Sequence, residues 1–229
     1  TQIRAYGGKI KPIDGSRQDV AEACQKAAGD NSNNRIFYAS HNWNPFFLEG
    51  MKTLAYEIFE QCTKCNIMPD WIVVPAGYGS LVLGVYEGFV NIMSCSELTR
   101  LPKLVIVQAE NCPPIHKAFI HGKMKIPPIQ GESTIAEGIA CSAPIRGIQI
   151  LDAIKNSNGL VVTVKEKEIE YASIQLAHHG IFIEPTSAVV GAALARLIDN
   201  KIIKKSDIVL GILTGIGLKT GYYYDGIIN

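Results

Sequence analysis

An α/β fold, with a mostly parallel sheet flanked by helices, is predicted by three features of the sequence. Short β-branched runs alternate with amphipathic stretches along the chain. Two of these runs, Trp71-Ile-Val-Val74 and Leu104-Val-Ile-Val107, are apolar at every position, as expected of strands covered on both faces. Apolar residues make up 47% of the 229 positions and charged ones 19%, which supplies a sizeable core and excludes a disordered chain. The length suits one large domain, or one domain with part of another, at roughly 100–200 residues per domain.

Taken in order, residues 9–13 read as a strand, 18–28 as a helix and 35–39 as a second strand. The run Ser-His-Asn-Trp-Asn-Pro at 40–45 shifts the composition and marks a crossing between domains. Over 46–61 the apolar residues Phe47, Met51, Leu54, Ile58 and Phe59 recur near the helical period. Strand 71–74 and helix 81–92 flank a glycine-rich turn, and 104–109 forms the next strand. Residues 111–131 carry Pro113, Pro114, Pro127, Pro128 and two histidines, and read as a long surface excursion. Strand 160–164, helix 165–178, strand 181–183, helix 186–198 and strand 208–213 complete the order. The charges at 165–170 and 201–205 read as solvated faces.

Composition excludes several functions. With 22 basic and 21 acidic side chains, the chain offers neither a strongly basic grip for nucleic acid nor a polyacidic tail. The longest uncharged apolar run, 71–86, is broken by Pro75, Gly77, Gly79 and Gly84, and is short of the about 20 residues a bilayer needs. The N-terminus shows no apolar leader, and six scattered cysteines suit a reducing compartment, so a cytoplasmic location is expected. Cys62-x-x-Cys65 is half of a zinc site without a second pair, and ordinary thiols are favoured there. His41, His116 and His121 have no companions for a triad or a metal, and His178-His179 suit a helix C-terminus. No metal is expected.

The sharpest local signal is Pro75-Ala-Gly-Tyr-Gly-Ser-Leu81, between a buried strand and a helix. It reads either as an anion cup, where glycines bring backbone N–H groups close to a phosphate at a helix start, or as a tight turn needing glycine only for its backbone. The loop by itself does not choose. A dinucleotide fingerprint wants a third glycine where Val82 stands, and a nucleophile elbow fails at Leu81 and Val82. At Leu213-Thr-Gly-Ile-Gly-Leu-Lys219 a strand runs out on Thr214, whose hydroxyl either meets a ligand in the same crevice or bonds its own turn. Gly211 and Gly215 would let that strand end approach a ligand closely. In Ile183-Glu-Pro-Thr-Ser-Ala188, Thr186 or Ser187 suits a helix N-cap, and capping is the favoured role.

Together these pieces resemble the threonine synthase family, a branch of the pyridoxal-phosphate (PLP) enzymes with the tryptophan synthase β-subunit fold. The matching stretches are Trp43-Asn-Pro-Phe-Phe-Leu-Glu-Gly-Met-Lys-Thr53, the loop 75–81, Val107-Gln-Ala-Glu-Asn-Cys112, Ser133-Thr-Ile-Ala-Glu-Gly-Ile-Ala140, Glu184-Pro-Thr-Ser-Ala188 and 213–219. Their order holds over nearly the whole chain. The resemblance implies that Gly77, Tyr78, Gly79, Ser80 and Leu81 hold the cofactor phosphate, that Thr214 hydrogen-bonds the pyridine nitrogen, and that Glu137 and Gly138 lie beside the ring. It further implies Asn44 at the crossing between a small and a large domain, with a division into 1–44 and 45–229. The reaction implied is conversion of O-phosphohomoserine to threonine. Arg146, in Ala143-Pro-Ile-Arg-Gly147, is the candidate cation for the substrate end.

The sequence also departs from that family. Its Schiff-base lysine lies in a Ser-Phe-Lys-Asp type motif followed by a Ser/Thr-Gly-Asn loop, and neither occurs here. The chain therefore reads as a C-terminal piece, inactive alone, whose missing N-terminal part is its first partner; a small amino acid is the substrate and a homo-oligomeric state stays open. Phe47 stands where many relatives place a basic residue. A serine/threonine dehydratase, an O-phosphoserine-dependent synthase of the same fold, or a non-catalytic phosphate- or nucleotide-binding domain are the rival expectations.

Overall fold

The computed structural model describes residues 2–15, 17–29, 36–96 and 98–228. The chain divides into two compact units, Thr1–Trp43 and Asn44–Asn229. The first holds helices α1 (Gln2–Ala5) and α2 (Arg17–Gly29), the latter where a helix is expected over 18–28. The strand expected at 9–13 is not formed. Those residues carry no regular structure, Pro12 has no amide to donate, and no strand occurs among the described residues of this unit for them to pair with. Residues 36–39 likewise form no strand, and Arg35 lies outside the described residues.

The second unit is built on four parallel strands, β1 (Trp71–Pro75), β2 (Lys103–Ala109), β3 (Leu160–Val164) and β4 (Val209–Gly211), in the order β3-β2-β1-β4. Its helices are α3 (Pro45–Met51), α4 (Thr53–Lys64), α5 (Ser80–Cys95), α6 (Pro114–Ile120), α7 (Gly147–Asn156), α8 (Glu166–His178), α9 (Pro185–Asp199) and α10 (Gly221–Ile228). The apolar runs of β1 and β2 are explained by two cores. Ile72, Val74, Leu104 and Ile106 pack with Leu83, Phe89, Ile150 and Ile154 of α5 and α7. The alternate residues Val73, Val105 and Val107 pack with Ile169, Val189, Ala193 and Leu197 of α8 and α9. Side chains alternate across a strand, so burial on both faces requires the unbroken apolar sequence.

Several elements differ from the sequence expectation. The helix expected over 46–61 is two helices that break at Lys52, where Thr53 Oγ1 donates to Gly50 O at 2.7 Å and draws hydrogen bonding away from the regular ladder. The break lets both pieces lie against α5, at whose Gly84 and Gly88 any Cβ would overlap Met51 and Ala55. Residues 111–131 are not all excursion: α6 begins with Pro114 at its first position and buries Pro114, Ile115 and Ala118. Helix α7, unmarked in the sequence reading, buries Ile150, Ala153 and Ile154 at helical spacing. Residues 181–183 give only an isolated antiparallel bridge, Ile183 to Ile216, and β4 is shorter than 208–213.

Asp70 fastens the exposed edge strand. Its carboxylate accepts the Ile208 N–H at 2.8 Å and is paired with Arg100, and these two interactions, the backbone one first, hold its pKa below the ordinary carboxylate value. A depressed folded-state pKa contributes stability above the unfolded value of about 3.9, and that contribution is lost as pH falls through the folded value. Asp70→Asn is therefore expected to lower stability at pH 7 by about 1 kcal/mol and to flatten its decline below about pH 4, measured as thermal unfolding against pH.

Candidate functional site

All four strands point the same way, so their carboxyl ends share one edge, the position at which open α/β sheets bind ligands. From that edge β1 runs through residues 76–79 into α5. Gly79 is the N-cap residue of α5 with φ 87°, ψ 3°, a left-handed conformation open to glycine, and a Cβ there would strike Ile150 of α7, whose Cγ1 would be 2.7 Å away. A Cβ on Gly77 would sit 3.0 Å from Ile139 Cα and 3.2 Å from Gly138 O. Both glycines are thus required for packing against α7 and the 3₁₀ turn Glu137–Ile139. The Leu83 N–H bonds back onto Gly79 O at 2.9 Å, and the first turn of the helix lies over the carboxyl end of β1. No acidic residue occupies the first turn of α5, and the helix dipole there favours an anion.

Gln108 of β2 braces this loop from below. It is fully buried; its Nε2 donates to Ala76 O at 3.2 Å, and its Oε1 accepts the N–H groups of Ile115 and His116 at 2.9 and 3.0 Å. The sequence marks it as the one polar residue in the run Leu104-Val-Ile-Val-Gln-Ala109. Burial, and after it the charge of Arg196, lowers the pKa of His116, beside it, from the ordinary imidazole value.

The stretch expected to cap a helix does something else. Glu184 occupies the N-cap of α9 without a side-chain cap bond, and Pro185 takes the first helical position. Thr186 Oγ1 instead accepts the Gly138 N–H at 3.0 Å, tying the 3₁₀ turn to α9. Ser187, fully buried, accepts the N–H groups of Thr214 and Gly215 at 2.8 and 2.7 Å, and its Oγ lies 3.0 Å from Thr214 Oγ1. The end of β4 is thereby clamped with Thr214 exposed. The space at Gly211 is taken by Val190 Cγ1 and that at Gly215 by the Glu184 carboxylate, which pairs with Lys219 at 3.0 Å. Those two glycines admit the protein's own side chains, so the close approach expected of a ligand is corrected there.

One contact chain therefore joins Gly77, Glu137–Ile139, Thr186–Ser187 and Thr214, while Tyr78, Ser80 and Leu81 sit half-buried on the loop. Arg146 is the N-cap residue of α7, one turn before the Ile150 that packs on Gly79. Asn44 is used locally, its Oδ1 accepting the Phe46 N–H at 2.9 Å as the cap of α3. Glu166, expected on a solvated face, turns inward: Oε2 accepts the Ile135 N–H at 2.8 Å, and the buried Oε1 has no partner among the described residues. A cavity of about 480 Å³ is lined there by Asn111, Ser133, Glu137, Glu166 and Tyr223. Among the described residues no group of His, Cys, Asp and Glu is placed to hold a metal, and no helix is long and apolar enough to cross a membrane.

Residues 1–215 match the family described as pyridoxal-phosphate dependent enzyme. Threonine synthase of Methanocaldococcus jannaschii is 34% identical over 220 residues, which cover 95% of this chain and 53% of that protein. The processed form of tomato (Solanum lycopersicum) threonine deaminase isoform 2 superposes with a TM-score of 0.75 at 18% identity, covering 97% of this chain and 60% of its own. Maize serine racemase gives 0.74 at 19%, covering 99% and 64%. These likenesses establish the expected parallel sheet with flanking helices as the tryptophan synthase β-like fold. The chain spans about half the length of the curated relatives it matches.

Proposed function

Because this chain belongs to the pyridoxal-phosphate dependent enzyme family, we propose that it is the cofactor-holding part of a threonine synthase-like carbon–oxygen lyase, converting O-phosphohomoserine to threonine and phosphate. The observation that carries the reading is the contact chain that gathers the glycine loop, the turn Glu137–Ile139 and Thr214 at one sheet edge. The residues present fit the cofactor: an N-terminal helix turn without an acid, and a hydroxyl on the neighbouring strand end. The border of the two compact units at Trp43 and Asn44 supports reading 1–44 as part of a small domain.

When bound, PLP supplies an electron sink for the α-carbon of an amino-acid substrate. In this reading the amides of residues 77–81 hold its phosphate. Thr214 donates to the ring nitrogen and, bringing no carboxylate, leaves it unprotonated, which suits elimination and replacement better than transamination. Glu137 and Gly138 flank the ring, and Arg146 meets the substrate phosphate, with Asn44 at the domain border. None of the lysines lies in the family's Ser-Phe-Lys-Asp context, so these 229 residues alone are not expected to turn over substrate.

The test is PLP addition followed by borohydride reduction and peptide mapping, run beside a binding titration with pyridoxine 5′-phosphate, which has no aldehyde to label lysines. Saturable binding with only diffuse lysine labelling is expected. A single stoichiometric pyridoxyl-lysine with threonine release would overturn the expected inactivity, and absent binding would overturn the cofactor placement. Thr214→Val should keep the fold and weaken pyridoxine 5′-phosphate binding by about 1 kcal/mol, the worth of a neutral hydrogen bond. A fall in melting temperature with unchanged affinity would make Thr214 a turn residue only.

A further inference from the structure

From the hydrogen-bond count at one buried hydroxyl, we infer that Ser187 is a positioning residue that fixes Thr214 as a hydrogen-bond donor toward the cofactor ring, an inference that rests on the reading just given. A serine hydroxyl has two acceptor lone pairs and one proton. Both lone pairs of Ser187 Oγ are occupied, by the N–H groups of Thr214 at 2.8 Å and Gly215 at 2.7 Å. Its proton has two acceptors in reach, Thr214 Oγ1 at 3.0 Å and Gly215 O at 3.3 Å. A carbonyl oxygen can accept two bonds, but Gly215 O is the longer of the two contacts, at 3.3 Å against 3.0 Å. The proton therefore goes to Thr214 Oγ1.

The reverse direction, Thr214 donating to Ser187, would need a third lone pair on Ser187. Thr214 consequently accepts inward and has its own proton to give outward, on a residue that is exposed where β4 runs out. An unprotonated ring nitrogen requires a donor of this kind. Ser187 is fully buried in the first turn of α9 and touches no ligand; it acts through Thr214. Hydroxyls linked in this way polarise one another, which strengthens the outer bond.

The experiment compares two probes on this chain, pyridoxine 5′-phosphate and its 1-deaza analogue, in which a C–H replaces the ring nitrogen. The parent should bind the nitrogen-bearing probe about five- to tenfold more tightly. Ser187→Ala should bring that ratio close to one while changing the affinity for the deaza probe little, an outcome that a purely structural role does not produce. If alanine unfolds the chain, Ser187→Cys, a weak donor of similar size, carries the same test. A ratio preserved in the folded variant, or equal losses for both probes, overturns the inference and leaves the cofactor reading intact. A parent that binds both probes equally, or neither, overturns the placement of Thr214 itself and the inference with it.

Discussion

Replacing Gly79 by aspartate is expected to abolish detectable pyridoxine 5′-phosphate binding and to lower the melting temperature of the chain by about 10 °C. Two steric effects act together. The residue must hold φ 87°, which costs a non-glycine residue about 1–2 kcal/mol, and its Cβ must displace Ile150 from a close-packed site, at about 1–3 kcal/mol. Their sum, about 3 kcal/mol, corresponds to a shift of about 2–4 °C per kcal/mol in a chain of this size. The carboxylate adds a third effect. At the end of α5 it would satisfy the helix amides itself, as acidic caps do elsewhere, and so both compete with and repel a phosphate. Gly79→Ala separates the parts, with a similar loss of stability but residual binding. Adding Ile150→Val, which removes the overlapping Cδ1, should restore part of the stability and none of the φ penalty. Parent-level binding in a folded Gly79→Asp chain would rule out an anion at this loop.

The sheet was legible because both faces of β1 and β2 are covered, which forces apolar residues into every position and leaves no competing pattern. Helix α5 was legible for a related reason, starting one short turn after the end of β1. What could not be read was decided by tertiary contact. Residues 9–13 have strand-like composition but, among the described residues of their unit, no strand to pair with, and a strand exists only as a pair. Helix α6 hid behind Pro113 and Pro114 because proline marks a loop and a helix start equally well, and only the buried Gln108 accepting its first amides decides for the helix.

The site divides in the same way. The glycine loop and Thr214 stood out because glycine spacing and a polar residue at a strand end are visible in one dimension. Ser187 was visible too, but its place at the start of an expected helix made capping the economical reading. Its hydrogen bonds to Thr214 and Gly215 lie 27 and 28 residues away in sequence, and no local rule reaches that far. Glu166 reads as solvated because its neighbours are charged, yet its Oε2 accepts the Ile135 N–H and this bond holds it inward. Glycines 211 and 215 misled for the opposite reason: a missing side chain marks a close neighbour without saying whether that neighbour is a ligand or the protein.

Gln108→Leu is expected to destabilise the chain by about 3 kcal/mol and to weaken pyridoxine 5′-phosphate binding at the loop it supports. Leucine fills nearly the same volume, so the loss comes from hydrogen bonding and not from a cavity. Three backbone groups lose their partner: Ala76 O and the amides of Ile115 and His116. Ala76 is 2% exposed and Ile115 fully buried, so water does not replace the missing bonds. A buried unsatisfied group costs about 1–3 kcal/mol, and α6 has no side-chain cap of its own to compensate, because Pro113 stands at its N-cap. Gln108→Glu keeps acceptors for both helix amides, but it loses the donor to Ala76 O and buries a charge at a fully buried position, so it should destabilise at least as much while protecting the helix amides better. The measurements are the denaturant midpoint at unchanged slope and hydrogen exchange at Ile115 and His116, which should accelerate far more in the leucine variant. If leucine left the midpoint in place, the three bonds would be worth nothing net over their hydrated state. The order of the glycine loop would then have to come from Ile139 and Ile150 alone.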